Sequence, residues 1–494
     1  MDPARAEPMR HPGRRRFGVP NRAEPWIAGA AAALASMALS WRPSFWFDEA
    51  ATIAAANRSE FDILRLLLNF DAVHGLYYLG MHAWFSWVPI NEFTARLPSA
   101  VAVGIAAAGL VVLGKLVADR PTAWAAAVAF TVLPRTLWSA LEARSYALTA
   151  AIAVWLTVVL VIAAARRGAA LWALYCLGLA LAIVSFVYLG LLVLAHAVTL
   201  AVGRNRGQLA PFTVAAAAGL ALASPLIALT AGQRQQLAWI GPGGSGYVTG
   251  VLAEQWFTGS RLFISVCVIV LAWGSVVLVT TKADRVAGAL AVAVPWIVVP
   301  TVLLVGYSAL VHDVYQPRYL TYTAPALGIL LGVCVRAIAR DRSRIYLVLL
   351  AVLALGSSTA FVAQRGRYSK PGGADYSEIA AVIETYSGPR DCVAFGFAAN
   401  EPLRAAAAGR PAAFADLNDV AAGVSGAEAA QLWSQDLPLD SDMVRPRLAT
   451  CAVLWVVIDR ETPSPIVDAA KRQGFAIDRE WTLNRSTVIR LKRS

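Results

Sequence analysis

The chain contains little charge for its length. Only 15% of its 494 residues are Asp, Glu, Lys or Arg, whereas 58% are hydrophobic, and the mean hydropathy is +0.57. Ordinary globular proteins carry about 25% charged residues, so this composition excludes a typical water-soluble domain and is characteristic of a chain that lies mostly in lipid. The sequence therefore predicts a polytopic α-helical membrane protein.

Acidic residues are the scarcer sign, with 31 Asp and Glu against 43 Lys and Arg and a net charge of +12. A basic chain can bind nucleic acid, but many of these basic residues lie in short loops beside apolar runs. The positive-inside rule predicts that distribution for cytoplasmic loops. We therefore expect the lipid bilayer as a partner and no nucleic acid.

The N-terminus lacks a convincing small-residue cleavage site. The basic stretch MRHPGRRRFGVPNR leads into an apolar run from Trp26 to Trp41, which passes directly into RPSFWFDEA. A secretory signal peptide would end in a cleavage site, so we expect a retained first helix. Residues 1-25 then form a basic cytoplasmic segment, and Asp48 and Glu49 lie on the outer face.

Apolar runs long enough to cross a bilayer recur over residues 26-365, since a span needs about 20 residues or slightly fewer. The segment from His74 to Trp87 is nearly that long, but it is rich in Trp and Tyr, which favour the membrane interface. If it spans, the stretch from Lys115 to Arg120 lies outside, and if it lies flat, that stretch lies inside. We take it to lie flat, which gives about eleven transmembrane helices and a first outer loop over residues 42-95.

The composition changes beyond Arg365. Residues 366-494 contain a helical pattern in DYSEIAAVIETYSG and short β-branched runs in RDCVAFGF, CAVLWVVIDRE and STVIRLKRS, which is typical of a small α/β fold. On the predicted topology this C-terminal α/β domain is extracytoplasmic.

Cysteine is scarce, and its placement is informative. Three of the five cysteines, Cys176, Cys267 and Cys334, lie in apolar spans and are explained as small core residues. Cys392 and Cys451 form the one pair that we expect in an oxidising compartment, each at the start of a predicted strand. A disulfide between them is expected in preference to free thiols.

Polar residues from distant parts of the chain collect on the expected outer face. They are Asp48, Glu49, His74, Arg96, Glu142, Arg144, Arg318 and the loop QRQQLAWIGPGG. Each has an ordinary explanation, because arginines at helix ends anchor in the interface and a lone histidine is more often structural than catalytic. Their convergence on one side favours a functional site.

Five segments in chain order resemble the GT-C superfamily of glycosyltransferases that use lipid-linked sugars. The segments are SFWFDEAAT, VHGLYYL, EFTARLPSA, LEARSYAL and YQPRYL. They look most like the protein mannosyltransferase and aminoarabinose transferase branch, in an Ala-rich chain of actinobacterial type, and the resemblance covers roughly residues 26-365. One departure is that relatives usually carry His-Pro-Pro-Leu where this chain has His74-Gly75-Leu76, so the backbone constraint of proline is absent.

The resemblance implies an integral-membrane enzyme that moves a sugar, mannose before arabinose, from a polyprenyl-phosphate donor to a hydroxyl of an envelope glycan, lipid or protein acceptor. It implies inversion at the anomeric carbon. Asp48 and Glu49 are the catalytic candidates, with Asp48 as base or orienting acceptor and Glu49 expected to be less critical. Arg318 is the candidate to stabilise the leaving phosphate, with Arg96 and Arg144 in support. The full set of substrate-binding candidates is His74, Arg96, Glu142, Arg144, Tyr146, Arg318 and Tyr319.

These residue types suit the chemistry of sugar transfer. A sugar hydroxyl has a very high pKa, so a carboxylate within hydrogen-bond reach assists its attack. Guanidinium groups stabilise a developing phosphate charge more strongly near lipid than in water. The donor is already energised, so no nucleotide fold is required, and none is visible.

Two other functions and one cofactor question stay open at this point. A transporter or flippase for lipid-linked glycans would line a pathway with charged residues, which the few charges at mid-span disfavour. A GT-C protein could also act only as a scaffold in an envelope complex. No cofactor is certain: two carboxylates could ligate a divalent metal, but no dedicated ligand spacing is present.

Overall fold

The computed structural model describes residues 22–203, 205–241, 246–281, 286–398, 401–462 and 464–494. The basic segment predicted over residues 1-25 lies almost entirely outside these described residues.

Helices dominate the chain as far as residue 364. In chain order they are α1 (Ala23–Met37), α2 (Phe47–Ala56), α3 (Glu60–Asn69), α4 (Gly75–Phe85), α5 (Glu92–Val117), α6 (Arg120–Val132), α7 (Pro134–Ala140), α8 (Tyr146–Arg166), α9 (Ala169–Ser185), α10 (Leu192–Val202), α11 (Leu209–Gly232), α12 (Gly246–Thr249), α13 (Arg261–Thr281), α14 (Ala287–Leu310), α15 (Ala324–Ala339), α16 (Ser343–Gly356) and α17 (Ser358–Gln364). Short 3-10 turns join several of them.

The chain is a multi-pass membrane protein. Within the described residues, seven helical segments are long and apolar enough to cross a bilayer, and two shorter apolar helices cover Ala169–Ser185 and Val187–Val202. All the predicted spans fall on helices. Because α1 and α6 have only 15 and 13 residues, or about 22 and 20 Å of helix, the number of crossings stays a prediction.

The segment from His74 to Trp87 forms α4, which is too short to span. Its 11 residues measure about 16 Å, roughly half the thickness of the hydrocarbon core. Tyr77, Tyr78 and Met81 are buried in a cluster shared with α2 and α3. This length favours the flat placement, which stays a prediction.

Beyond α17 the chain forms a mixed sheet with small helices. The elements are α18 (Tyr376–Tyr386), β1 (Cys392–Phe395), β2 (Phe397–Ala398), β3 (Glu401–Pro402), α19 (Ala405–Gly409), β4 (Asn418–Asp419), α20 (Arg445–Ala449), β5 (Val453–Asp459), α21 (Pro465–Arg472), β6 (Phe475–Thr482) and β7 (Ser486–Arg493). The strand order is β4-β1-β5-β7-β6. β1 is parallel to β4 and β5, whereas β7 is antiparallel to β5 and β6.

A disulfide joins Cys392 at the start of β1 to Cys451 just before β5, with their Cα atoms 5.9 Å apart. The other three cysteines are free thiols.

The sheet region packs against α2 and its flanking residues through a shared apolar core. Phe45 and Ile53 of the α2 region pack with Ile379, Phe395 and Trp455 of the C-terminal region. Arg410 also forms an ion pair with Glu92 at the start of α5, at 2.8 Å. The C-terminal region is therefore packed against the helical region, and the domain boundary at residue 366 stays a prediction.

Labelling of single cysteines will establish the orientation. We expect Asp442→Cys, in a chain whose three free cysteines are replaced, to react with an impermeant maleimide in intact cells, because the C-terminal domain is predicted to lie outside. Asp341→Cys, between α15 and α16, should react only after lysis, because basic loops favour the cytoplasm. Both native side chains are more than nine-tenths exposed, at 97% and 95%. The opposite labelling pattern would reverse the predicted topology.

Candidate functional site

A cavity of about 1460 Å³ lies between the helical bundle and the C-terminal domain. One part of its lining is polar and contains Asp48, Asp71, His74, Arg144 and Arg318. The other part is apolar and comes from α10, α11 and α14, with side chains Leu194, Leu220, Ile227, Leu303, Leu304 and Leu310. Glu401, Leu432 and Trp433 of the C-terminal domain complete the wall. The cavity therefore suits a ligand with a charged head and a long apolar tail.

The start of α2 directs the two adjacent carboxylates in different directions. Trp46 is extended, with φ −137°, so the helix begins at Phe47 and both acids lie in its first turn, where negative charge is favoured. Successive helical side chains point about 100° apart. Asp48 consequently faces the cavity, whereas Glu49 is fully buried.

Asp48 is held between two arginines. Its Oδ1 lies 3.4 Å from Nη2 of Arg144 and its Oδ2 lies 3.3 Å from Nη1 of Arg318, while 14% of the side chain stays exposed. Burial opposes ionisation, but the charges of Arg318 and Arg144 outweigh it and hold the pKa of the Asp48 carboxyl below its ordinary value. Asp48 is therefore an ionised hydrogen-bond acceptor at neutral pH.

Glu49 forms a buried two-pronged ion pair with Arg96 of α5. Nε and Nη2 of Arg96 lie 2.7 Å from Oε1 and Oε2 of Glu49. The remaining guanidinium N–H groups donate to the carbonyls of Ser40, Pro43 and Ser44. Neither Glu49 nor Arg96 lines the cavity, so the structure separates both from the polar cluster in which the sequence analysis placed them.

Glu142 is also buried away from the cavity lining. Its Oε1 accepts from Nζ of Lys370 at 2.6 Å and its Oε2 accepts from Nε1 of Trp46 at 2.9 Å. Burial raises the pKa of the Glu142 carboxyl to about 7, although the Lys370 ammonium opposes that rise. Lys370 was not predicted as a site residue. Lys370 lies beyond the last predicted span and far from Glu142 along the chain. No local sequence pattern therefore indicates the pair between Lys370 and Glu142.

Arg144 links Asp48 to a second carboxylate that the sequence analysis missed. Its Nη1 donates to Oη of Tyr78 at 2.8 Å and lies 3.5 Å from Oδ2 of Asp71, and the Tyr78 hydroxyl donates to Asp71. Asp71 has a left-handed backbone, with φ +58°. No motif of the sequence singled out Asp71.

His74 lies in the polar part of the cavity lining. Its Nδ1 is 3.1 Å from Oγ of Ser145, and its ring stacks on Phe186 with 5.8 Å between ring centroids. Burial lowers the pKa of His74 to about 4, so the ring is neutral at physiological pH.

Two glutamines brace the turn before α4. The side-chain oxygens of Gln236 and Gln233 accept from the backbone N–H groups of Asp71 and Ala72, each at 2.9 Å. A Cβ on Gly75 would lie 2.8 Å from Cδ1 of Leu67, so glycine permits the close packing of α3 against this turn. The chain therefore holds the turn before α4 by side-chain hydrogen bonds.

Arg318 opens a 3-10 helix, Pro317–Thr323, and lies among aromatic rings. Its guanidinium carbon is 5.8 Å from the ring centre of Trp46 and 5.5 Å from that of Trp239. Tyr319 stacks on Tyr188, with 5.3 Å between ring centroids. Among the described residues, the buried Nε groups of Arg318 and Arg144 have no hydrogen-bond acceptor. The two arginines thus have donor capacity beyond what Asp48 uses.

Tyr146, at the start of α8, completes the set of predicted residues in the cavity wall. The six that the structure brings together there are Asp48, His74, Arg144, Tyr146, Arg318 and Tyr319.

The described side chains do not form a metal site of ordinary type. No group of three His, Cys, Asp or Glu residues converges within the described ranges. The two carboxylates considered as metal ligands, Asp48 and Glu142, already bind cationic side chains.

Comparison with known proteins establishes the fold. No protein-family model and no curated protein sequence matches the chain. Its structure is similar to that of ArnT from Cupriavidus metallidurans in the apo state, with TM-score 0.57, 14% identity, and coverage of 94% of this chain and 97% of that one. ArnT bound to undecaprenyl phosphate gives TM-score 0.56 with the same identity and coverage. An Archaeoglobus fulgidus oligosaccharyltransferase matches with TM-score 0.49 and 11% identity, and the match covers 95% of this chain and 74% of that one. The likeness to ArnT confirms the predicted GT-C fold.

The buried ion pair gives a prediction about stability. Glu49→Gln leaves the Arg96 charge buried without its partner, so we expect the free energy of unfolding to fall by about 3–5 kcal/mol. Asp442→Asn removes one side of an exposed pair, 3.3 Å from Arg445, and should cost less than about 1 kcal/mol. The two variants are compared by thermal and denaturant unfolding of the detergent-purified protein. Equal stability of the two variants would contradict a supporting role for Glu49.

Proposed function

We propose that this chain is an integral-membrane glycosyltransferase that moves a sugar from a polyprenyl-phosphate donor to a hydroxyl acceptor. One observation carries the proposal: an ionised carboxylate, Asp48, lies between Arg144 and Arg318 in the polar part of a cavity whose wall from α10, α11 and α14 is aliphatic. A polyprenyl-phosphate sugar has the matching division into an apolar chain, an anionic phosphate and a hydroxyl-rich head.

The two arginines are suited to the donor phosphate. Arginine presents planar N–H pairs that match phosphate oxygens, and such charge-assisted hydrogen bonds are stronger away from bulk water. Arg318 lies beside Trp46 and Trp239, whose amphipathic rings favour the membrane interface. The aliphatic wall from α10, α11 and α14 would then hold the isoprenoid chain. The fold is that of ArnT, which has been solved with undecaprenyl phosphate bound.

The transfer is a single displacement at the anomeric carbon. The acceptor hydroxyl oxygen attacks that carbon, the bond from carbon to phosphate oxygen breaks, and polyprenyl phosphate leaves with the electron pair. Asp48 accepts the hydrogen bond of the attacking hydroxyl and receives its proton as the new bond forms. Arg318 and Arg144 stabilise the charge that develops on the leaving phosphate. Attack from the side opposite the phosphate inverts the configuration.

The sugar and the acceptor rest on the sequence resemblance. We propose mannose as the sugar, with arabinose as the second candidate, and an envelope glycan, lipid or protein as the acceptor. We place the reaction at the outer face of the plasma membrane, with the N-terminus in the cytoplasm and the C-terminal domain outside. Glu401 and Trp433, which border the cavity from that domain, would then face the acceptor side.

Replacing Asp48 tests the proposed base. Asp48→Asn keeps the shape but cannot accept the proton, so we expect turnover to fall by about 10²–10⁴ while donor binding is retained. The assay is sugar transfer by the purified protein from polyprenyl-phosphate mannose and from the arabinose donor. Asp62→Asn, on α3 and absent from the cavity lining, is the matched control. Activity of Asp48→Asn within a few-fold of wild type would refute the assignment. Lipid translocation without transfer would instead indicate a flippase.

Replacing Arg318 tests the phosphate role separately. Arg318→Lys keeps the charge but loses the paired hydrogen bonds, so we expect donor affinity or turnover to fall about tenfold or more, the equivalent of one charge-assisted hydrogen bond. Transfer is measured over a range of donor concentrations, beside thermal unfolding. Arg42→Lys, an exposed residue in the turn between α1 and α2, should change neither quantity. Full activity of Arg318→Lys would make Arg318 an interfacial anchor.

A further inference from the structure

A second cavity, of about 590 Å³, lies at the opposite end of the helical bundle. The helical segment Pro317–Ala339 connects the two ends. Arg318 lies near its first residue and lines the large cavity, whereas Arg336 lies near its last residue and lines the second. Roughly 27 Å of helix separates them. The second cavity is therefore remote from the proposed transfer site and at the other membrane face.

The lining of this second cavity, called the groove below, combines cationic, aromatic and aliphatic side chains. Four arginines accompany one carboxylate, that of Asp341, and the wall continues along aliphatic side chains. The arginines are Arg120, Arg336, Arg340 and Arg342, and the apolar and aromatic residues are Trp124, Val128, Tyr346, Leu347 and Leu350. The groove thus has a positive mouth and an apolar continuation.

Two of the four arginines are not neutralised within the described part of the chain. Arg120 pairs with Glu24 at 3.0 Å, and Arg336 pairs with Asp341, also at 3.0 Å. Arg340 and Arg342 form no ion pair with a described residue, and both are exposed. The groove therefore carries excess positive charge in the turn between α15 and α16.

Packing between helices maintains the shape of the groove. A Cβ on Gly332 of α15 would lie 2.7 Å from the backbone N of Ala126 in α6, so these two helices approach closely. The Tyr346 hydroxyl of α16 donates to the carbonyl of Pro121 at 2.8 Å. These contacts hold α6, α15 and α16 together, and the turn that carries Arg340 and Arg342 joins two of these helices.

We propose that this groove binds an anionic glycerophospholipid from the adjacent leaflet. Arg340 and Arg342 would bind the headgroup phosphate, Trp124 would lie at the level of the interface, and one acyl chain would follow Leu347 and Leu350. Basic pockets between transmembrane helices on the cytoplasmic side are suited to anionic headgroups. A free phosphate would contact only the arginines and would leave the aliphatic wall uncovered. Leu347, which belongs to that wall, is 63% exposed, so a ligand with an acyl chain fits the groove better.

Lipid titration of the purified full-length protein tests this site. In a neutral detergent, we expect dioleoylphosphatidylglycerol to raise the unfolding temperature and to be retained in native mass spectrometry, whereas dioleoylphosphatidylcholine and inorganic phosphate do neither. The variant R340Q/R342Q should need about tenfold more phosphatidylglycerol for the same shift, since each arginine near an anionic headgroup contributes to binding. Sugar transfer with a saturating donor need not change.

The matched control is R166Q/R167Q. Arg166 is the last residue of α8 and Arg167 follows it, whereas the first residue of α8, Tyr146, lines the large cavity. Both arginines are therefore exposed at the same membrane face as the groove but outside its lining. This control should keep the wild-type lipid response.

Unchanged lipid affinity in R340Q/R342Q overturns the proposal, and so does an equal loss in the control, which would indicate general surface charge. Protection by inorganic phosphate alone would also overturn it. Should the double variant fail to fold, R342Q alone, at an exposed position before α16, gives the same comparison.

Discussion

The buried pair between Glu49 and Arg96 positions the candidate site. Arg96 binds both oxygens of Glu49 and also the carbonyls of Ser40, Pro43 and Ser44, so one guanidinium joins α5 to the turn before α2 and to α2 itself. Burial of such a pair is costly, and breaking it would leave an uncompensated charge. Because Glu49 is fixed inward, the helical geometry turns Asp48 toward the cavity.

Two further carboxylates near this pair, those of Glu142 and Asp48, are each bound by cationic side chains. Glu142 binds Lys370, whose Nζ also lies 3.8 Å from Glu49, and Asp48 binds Arg144 and Arg318. Three carboxylates this close together would repel one another strongly at the edge of a membrane. The compensating cations come from the helical bundle and from the start of the C-terminal region, so the two regions are joined electrostatically as well as through their apolar contact.

Much of this arrangement was predictable from the sequence, and the remainder depends on long-range geometry. Hydrophobic runs located the helices, β-branched runs located β1, β5 and β7, and short motifs identified Asp48, His74, Arg144, Tyr146, Arg318 and Tyr319. Neighbouring side chains point in different directions on any regular backbone, so Asp48 and Glu49 were expected to diverge. Which of them faces the cavity depends on the helix beginning after an extended Trp46. Lys370 and Asp71 were missed since their partners, Glu142 and Arg144, are distant along the chain and no local pattern marks them.

Under the proposed function, the two arginines couple donor binding to the strength of the base. Without the donor, Arg318 and Arg144 hold the pKa of Asp48 below its ordinary value, which makes the carboxylate a poor proton acceptor. A donor phosphate that binds Arg318 would neutralise part of that positive charge, and the proton affinity of Asp48 would rise. The base would thus gain strength when the leaving group is in place. This coupling favours an order in which the donor binds before the acceptor hydroxyl is activated.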